Sequence, residues 1–410
     1  MPPSGSPPLL TRPMAALLAA VGVGWSAELL VQATLPLLIL DRGGDAAVVG
    51  LVAAAYALPT LLLRPVIGRR IDRSGHGPIH QAGGVLLTAA PLGFLLAPIA
   101  ALAMARLAQG LGWAMYGTAN NVVLARLAPA TRRGEASAWF NVMWALGFLV
   151  GPPLGLALYA NVSTELPFVA AAALAAVGLV IVTALRRMMP TPPPVAYEPE
   201  VPVGGARRLV ARLVEPAALP TMAILATFMA AQALYLAFAP VYARSIGAPD
   251  TVLAIHFPVY GGLLALGQLL TGRLSDRFGR RRTIVSGCAL GASALFVSAV
   301  APSWTVFTIA AAAFALSAAI VNPAAAAATI DRVPPGRTGV AMATFSMGYQ
   351  IAAGIGGAAW GLLIAWLGFP SPFIVAIVLQ GVCAWIAVRH LRPVPPPAVA
   401  TILAPEPPSR

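Results

Sequence analysis

Long apolar runs alternate with short polar or Pro/Gly-rich breaks along almost the whole chain. A helix that crosses the hydrocarbon core of a bilayer needs about 20 mostly apolar residues. The pattern predicts twelve such helices, at roughly 14–40, 46–67, 79–97, 99–124, 137–160, 166–187, 217–242, 250–271, 283–301, 304–328, 338–363 and 370–388. The tightest hairpins fall near Pro98 and Ser303. The first apolar run is too long for the h-region of a signal peptide, so it reads as a first spanning helix. Residues 188–216 break the rhythm with a Pro-rich stretch from Met189 to Pro194 and a basic end at Arg207, Arg208 and Arg212. The expected organisation is a tail over 1–13, a six-helix bundle over 14–187, a linker over 188–216, a second six-helix bundle over 217–388 and a Pro-rich tail over 389–410.

The two halves repeat one another. Gly68, Asp72, Arg73 and Gly75 follow the second apolar run, and Gly272, Asp276, Arg277 and Gly279 follow the eighth, 204 residues later. At the same offset Glu28 aligns with Gln232, Pro36 with Pro240 and Tyr56 with Tyr260. One residue further on, Pro129 aligns with Pro334, Arg132 with Arg337, Phe140 with Phe345 and Gly151 with Gly356. A period of half the chain is a two-fold duplication, as transporters built from internal repeats display.

Composition narrows the class. Hydrophobic residues make up 59% of the chain and charged residues 10%, against about 25% charged in soluble domains. The net charge of +13 would suit nucleic acid. However, with the N-terminus placed inside, the expected outer loops hold only Arg42 and Arg244. Every other Arg except Arg106 then falls at the inner side, so membrane sidedness accounts for the charge and no nucleic-acid partner is expected. Both termini are expected in the cytoplasm, with the chain in the inner membrane as a multi-pass protein. Cys288 and Cys383 lie inside apolar runs and read as small buried residues. No metal cluster, nucleophile triad or Gly-x-x-x-x-Gly-Lys-[Ser/Thr] loop occurs, so neither an enzyme nor a cofactor nor ATP as energy source is expected.

Three motifs carry a family resemblance. The stretch Gly272 to Arg281 is similar to the loop between helices 8 and 9 of the major facilitator superfamily, and Gly68 to Gly75 is a diverged copy between helices 2 and 3. In the first copy Arg70 stands where an apolar residue is usual, and His76-Gly77 replaces a basic pair. The glycines are read as allowing a tight reversal and the arginines as holding it at the anionic inner leaflet. The resemblance implies that Asp72 and Arg73 latch onto the neighbouring half. In helix 4, Arg106-Leu107-Ala108-Gln109-Gly110 resembles the family's Arg-x-x-Gln-Gly signature. In helix 5, Gly147, Gly151, Pro152 and Gly155 resemble the core of the motif that marks exporting, proton-coupled antiporters. Ala138 and Leu156 stand where the longer form of that motif has glycines. The resemblance implies twelve transmembrane helices in two pseudo-symmetric six-helix bundles, an all-α integral membrane fold.

Glu28 is the single carboxylate near the middle of a predicted span, and Arg106 is the single cation deep in one. Intramembrane charge is expensive and pairs with itself or faces the bundle interior. The two are therefore expected to pair, with Glu28 exchanging a proton. Trp25, Glu28, Gln32 and Pro36 recur at helical spacing as one polar stripe. Trp25, Gln32, Trp113, Asn120, Asn141, Gln232, Tyr235, Asn322 and Gln350 are the candidates to line a central substrate cavity. Each is also a candidate for ordinary interhelical packing or hydrogen bonding. The expected activity is proton-coupled antiport exporting a small organic or drug-like molecule, with a monomer in the lipid bilayer and protons and one small molecule as partners. The alternative is a facilitator or proton symporter importing a sugar or other metabolite.

Overall fold

The computed structural model describes residues 8–96, 98–129, 133–189, 214–249, 252–333 and 338–391. The described helices are α1 (Arg12–Asp41), α2 (Ala46–Ser74), α3 (His76–Gly93), α4 (Ile99–Leu127), α5 (Arg133–Asn161), α6 (Leu166–Met188), α7 (Leu219–Ala237), α8 (Ala239–Ser245), α9 (Leu253–Phe278), α10 (Arg280–Ala299), α11 (Trp304–Ile330), α12 (Thr338–Ile351), α13 (Gly357–Leu367) and α14 (Pro370–His390). α7 and α8 follow a short 3₁₀ turn and form one stretch, and a π-helical turn over Ala352–Gly356 joins α12 to α13. The described helices thus group into twelve stretches. Nine described segments are long and apolar enough to cross a membrane.

Several starts follow from local chemistry. Thr11 caps α1 by accepting from the Met14 amide, and Asp45 caps α2 by accepting from the Val48 amide at 2.9 Å. Each side chain satisfies one of the four amides that a helix start leaves without a partner.

The two halves pack alike. In the first, α1 lies against α5 and α6, α3 against α4 and α6, and α2 against α4. In the second, α7 lies against α12 and α14, α10 against α11 and α14, and α9 against α11. Every pairing recurs six stretches later, the packing counterpart of the sequence repeat. Between the halves, α2 meets α13 and α5 meets α9. At the α2–α13 crossing a Cβ on Gly50 would overlap the Gly357 carbonyl and stand 3.0 Å from the Gly361 Cα. Backbones touch there because neither helix interposes a side chain. At the same end, Arg244 of α8 pairs with Asp41 of α1 at 2.5 Å, and the Tyr159 hydroxyl also donates to Asp41.

Three expectations about local structure are corrected. The Gly68–Ser74 and Gly272–Phe278 stretches are helical and extend α2 and α9 past their apolar runs. Only Gly75 and Gly279 make the reversals, with φ of 78° and 83° that side-chain-bearing residues rarely adopt. Gly68 sits inside a helix with open space around it and does not turn the chain. The seventh stretch breaks at Phe238, ahead of Pro240, which has no N–H to continue the ladder. The eleventh is interrupted by the π-helical turn. The side chains of Asp72, Arg73, Asp276 and Arg277 lie outside the described residues, and so does most of the linker.

Candidate functional site

Glu28 sits midway along α1, 4% exposed. Arg106 projects from α4 seven residues after its start, about 10 Å along the axis, and its side chain is 7% exposed. The spacing of Arg106 and Gln109 places both on one face of α4. Arg106 Nη1 donates to Glu28 Oε1 at 2.9 Å and to Gln109 Oε1 at 2.7 Å. Gln109 Nε2 donates to Glu28 Oε2 at 2.9 Å. The three side chains close a ring in which both carboxylate oxygens accept a hydrogen bond. The guanidinium carbon also lies 4.3 Å from the centre of the Tyr56 ring, within the range of a cation–π contact.

Glycines bring these helices together. A Cβ on Gly110 would overlap the Tyr56 carbonyl. The glycine of the Arg-x-x-Gln-Gly signature therefore lets α2 lie close enough for Tyr56 to cover Arg106. On α5, a Cβ on Gly147 would stand 2.9 Å from the Trp25 Cβ, one on Gly151 would overlap the Ser26 carbonyl, and one on Gly155 would stand 2.8 Å from the Leu30 Cγ. All three press on the segment of α1 that brackets Glu28. Pro152 continues this helix one residue after Gly151.

The ring borders two cavities. One, between the halves, is lined by Arg106, Gln32, Pro36, Val52 and Ala237. The other lies inside the first bundle and is lined by Glu28, Gln109, Tyr116 and residues of α3 and α6.

The remaining sequence candidates scatter. Trp25 packs edge-on against Trp113 and Trp144. Trp113 also meets Tyr116 within the first bundle, and Asn120 lies beside His80 there. Tyr235 is buried in the second bundle, its hydroxyl 2.8 Å from Ser298. Gln350 accepts from Thr60 at 2.7 Å across the halves. Gln232 is buried beside Tyr260, and the positions matching Arg106 in the repeat, Ala310 and Ala311, are alanines. Asn322 is half-buried and Asn141 exposed. Sequence reasoning left Tyr56 and Gln109 out of the site. The signature spacing was a signal for Gln109; Tyr56 had only its match to Tyr260.

Two like sets of six helical stretches, with a buried charge pair inside the first, are the arrangement of a transporter built from internal repeats. The family model of the Major Facilitator Superfamily matches residues 14–263 and 221–409, and the chain belongs to that superfamily. It is 28% identical to an MFS-type transporter of Salmonella typhimurium over 84% of this chain and 86% of that one. It is 29% identical to the class D tetracycline resistance protein of Salmonella ordonez, over 72% and 74% of the two chains. The fold is similar to that of a POT family transporter solved with 5-aminolevulinic acid, with a TM-score of 0.77 at 15% identity over 93% and 97% of the chains.

Proposed function

We propose that the protein is a proton-coupled antiporter that exports a small organic or drug-like molecule by alternating access. Glu28 carries the proton and Arg106 is its electrostatic partner. The observation that carries this reading is the closed Glu28–Arg106–Gln109 ring, buried where Arg106 borders the cavity between the halves. A buried carboxylate held by one cation can give up that pairing only by taking a proton. Proton binding and rearrangement at the cavity are thereby one event. Export is supported by the α5 glycines that seat α1 and by a relative named for tetracycline resistance. The proposed location is the cytoplasmic membrane, with both termini inside.

The test uses proteoliposomes and a counterflow panel of drug-like compounds that includes tetracycline. Glu28→Gln is expected to keep downhill counterflow and to lose accumulation driven by a pH gradient. Full pH-driven accumulation by this variant would remove Glu28 from the mechanism. Acidification of the lumen along with substrate entry, in place of alkalinisation, would favour symport.

A further inference from the structure

Glu28 borders the cavity inside the first bundle, away from the cavity that Arg106 borders between the halves. Gly24 of α1, Gly84 of α3 and Gly178 of α6 line the inner cavity, and bare backbone on three helices leaves the space open. It has room for about one water molecule. The Tyr116 hydroxyl stands at its edge, donating to the Ala20 carbonyl at 3.0 Å. A Cβ on Gly178 would lie 3.3 Å from that hydroxyl oxygen.

Polar groups continue past Tyr116 toward the α2–α3 turn. His80, 1% exposed, packs against Tyr116 with ring centres 4.8 Å apart. Asn120 lies beside it, one turn further along α4. The Nε2 of His80 and the Oδ1 of Asn120 are both buried, close enough to interact with one another but without a well-formed hydrogen bond among the described residues. Unpaired buried polar atoms are costly unless water reaches them. One turn nearer the bundle end, His76 Nδ1 lies 3.1 Å from the exposed Arg126. His76, His80, Gly84, Leu87 and Pro91 follow one face of α3, and Gln109, Trp113, Tyr116 and Asn120 one face of α4.

We propose that Glu28 exchanges its proton with the solution at the α2–α3 end through the interior of the first bundle, along His76, His80–Asn120 and Tyr116, and not through the substrate cavity. The inference rests on Glu28 being the proton carrier. His80 can accept at one ring nitrogen while donating at the other. The Tyr116 hydroxyl is the narrow point: its proton is engaged by Ala20, so passage requires that bond to open, which limits leakage. The groups that face Glu28 are Arg106 and Gln109 from α4, with Tyr56 and Arg64 of α2 and Tyr349 of α12 close by. Those around His80 are His76, Tyr116 and Asn120, with Arg126 and Arg186 next to His76 in turn. Among the described residues no carboxylate is in that second group.

The experiment is time-resolved infrared spectroscopy of the purified full chain after a pH jump. The band followed is the carboxyl band that Glu28→Gln removes. Tyr116→Phe deletes one oxygen, and Gly178→Ala narrows the cavity at that oxygen. Both are expected to slow the band's rise by on the order of tenfold and to leave its final amplitude unchanged, which also reports that the protein is folded. Ala237→Leu, which narrows the cavity between the halves, is expected to leave the rate as in the parent. Parental rates in both Tyr116→Phe and Gly178→Ala, with slowing in Ala237→Leu, would overturn the route while keeping Glu28 as carrier. Absence of any titrating band in the parent would instead remove Glu28, and the route with it.

Discussion

Arg106→Ala is expected to abolish transport and to destabilise the protein more than Glu28→Gln does. The alanine leaves Glu28 buried with only the Gln109 amide to meet it. Breaking a buried pair by removing one partner costs about 3–5 kcal/mol, because the charge that remains is uncompensated. Glu28→Gln is milder. It strands a guanidinium that still reaches the Gln109 carbonyl oxygen and the Tyr56 ring, and the new amide still offers an acceptor. Removing both charges should therefore restore part of what Arg106→Ala loses. The measurement is the unfolding midpoint in detergent for the parent, the two single variants and the double variant, read as a double-mutant cycle. A double variant less stable than Arg106→Ala would mean that packing, and not uncompensated charge, dominates at this site.

Gly50→Leu is expected to reduce transport to background by holding the Asp41 end of the protein apart. The atoms a side chain would meet at Gly50 belong to the backbone of α13 and cannot rotate aside. Ordinary overpacking costs about 1–3 kcal/mol when neighbours can shift. Here the relief available is separation of the two halves. Asp41→Cys paired with Arg244→Cys, in a background with Cys288 and Cys383 replaced, should cross-link readily and lose that cross-link when Gly50→Leu is added. Unchanged cross-linking together with parental transport would show that the crossing tolerates a side chain and does not control closure.

The helical build and the duplication were legible because a bilayer demands about 20 apolar residues per span. The repeat could also be checked position by position. Helix ends were less legible. The apolar runs stop at residues 67 and 271, but α2 and α9 continue to Ser74 and Phe278. A helix that leaves the apolar layer keeps its own hydrogen bonds and stops where a residue such as Gly75 or Gly279 turns. The aligned prolines make the same point. Pro36 lies inside an unbroken α1, while Pro240 follows a break at Phe238, and hydropathy cannot tell the two apart.

The candidate site was partly legible for an energetic reason. Two opposite charges deep in an apolar chain have few partners except each other, and Glu28 and Arg106 do meet. Neutral polar and aromatic residues carry no such compulsion. Helices apolar on every side do not declare which face turns inward, so Asn120, Trp113 and Tyr235 read as cavity candidates although each lies within one bundle. Tyr56 reaches Arg106 only because Gly110 lets two helices touch, a tertiary fact that no single helix encodes.

The repeat copies the site without its charges: Gln232 stands for Glu28, and alanine for Arg106. Under the proposed mechanism one half titrates and the other stays neutral, so a cycle exchanges one proton. The electrical character of the cycle is then set by the cargo. Export of a monocation against one proton moves no net charge, whereas export of a neutral compound carries one charge inward and draws on the membrane voltage, worth about 2.3 kcal/mol per 100 mV. Measuring export at fixed pH difference while the voltage is clamped with potassium and valinomycin would therefore read the charge of the transported species.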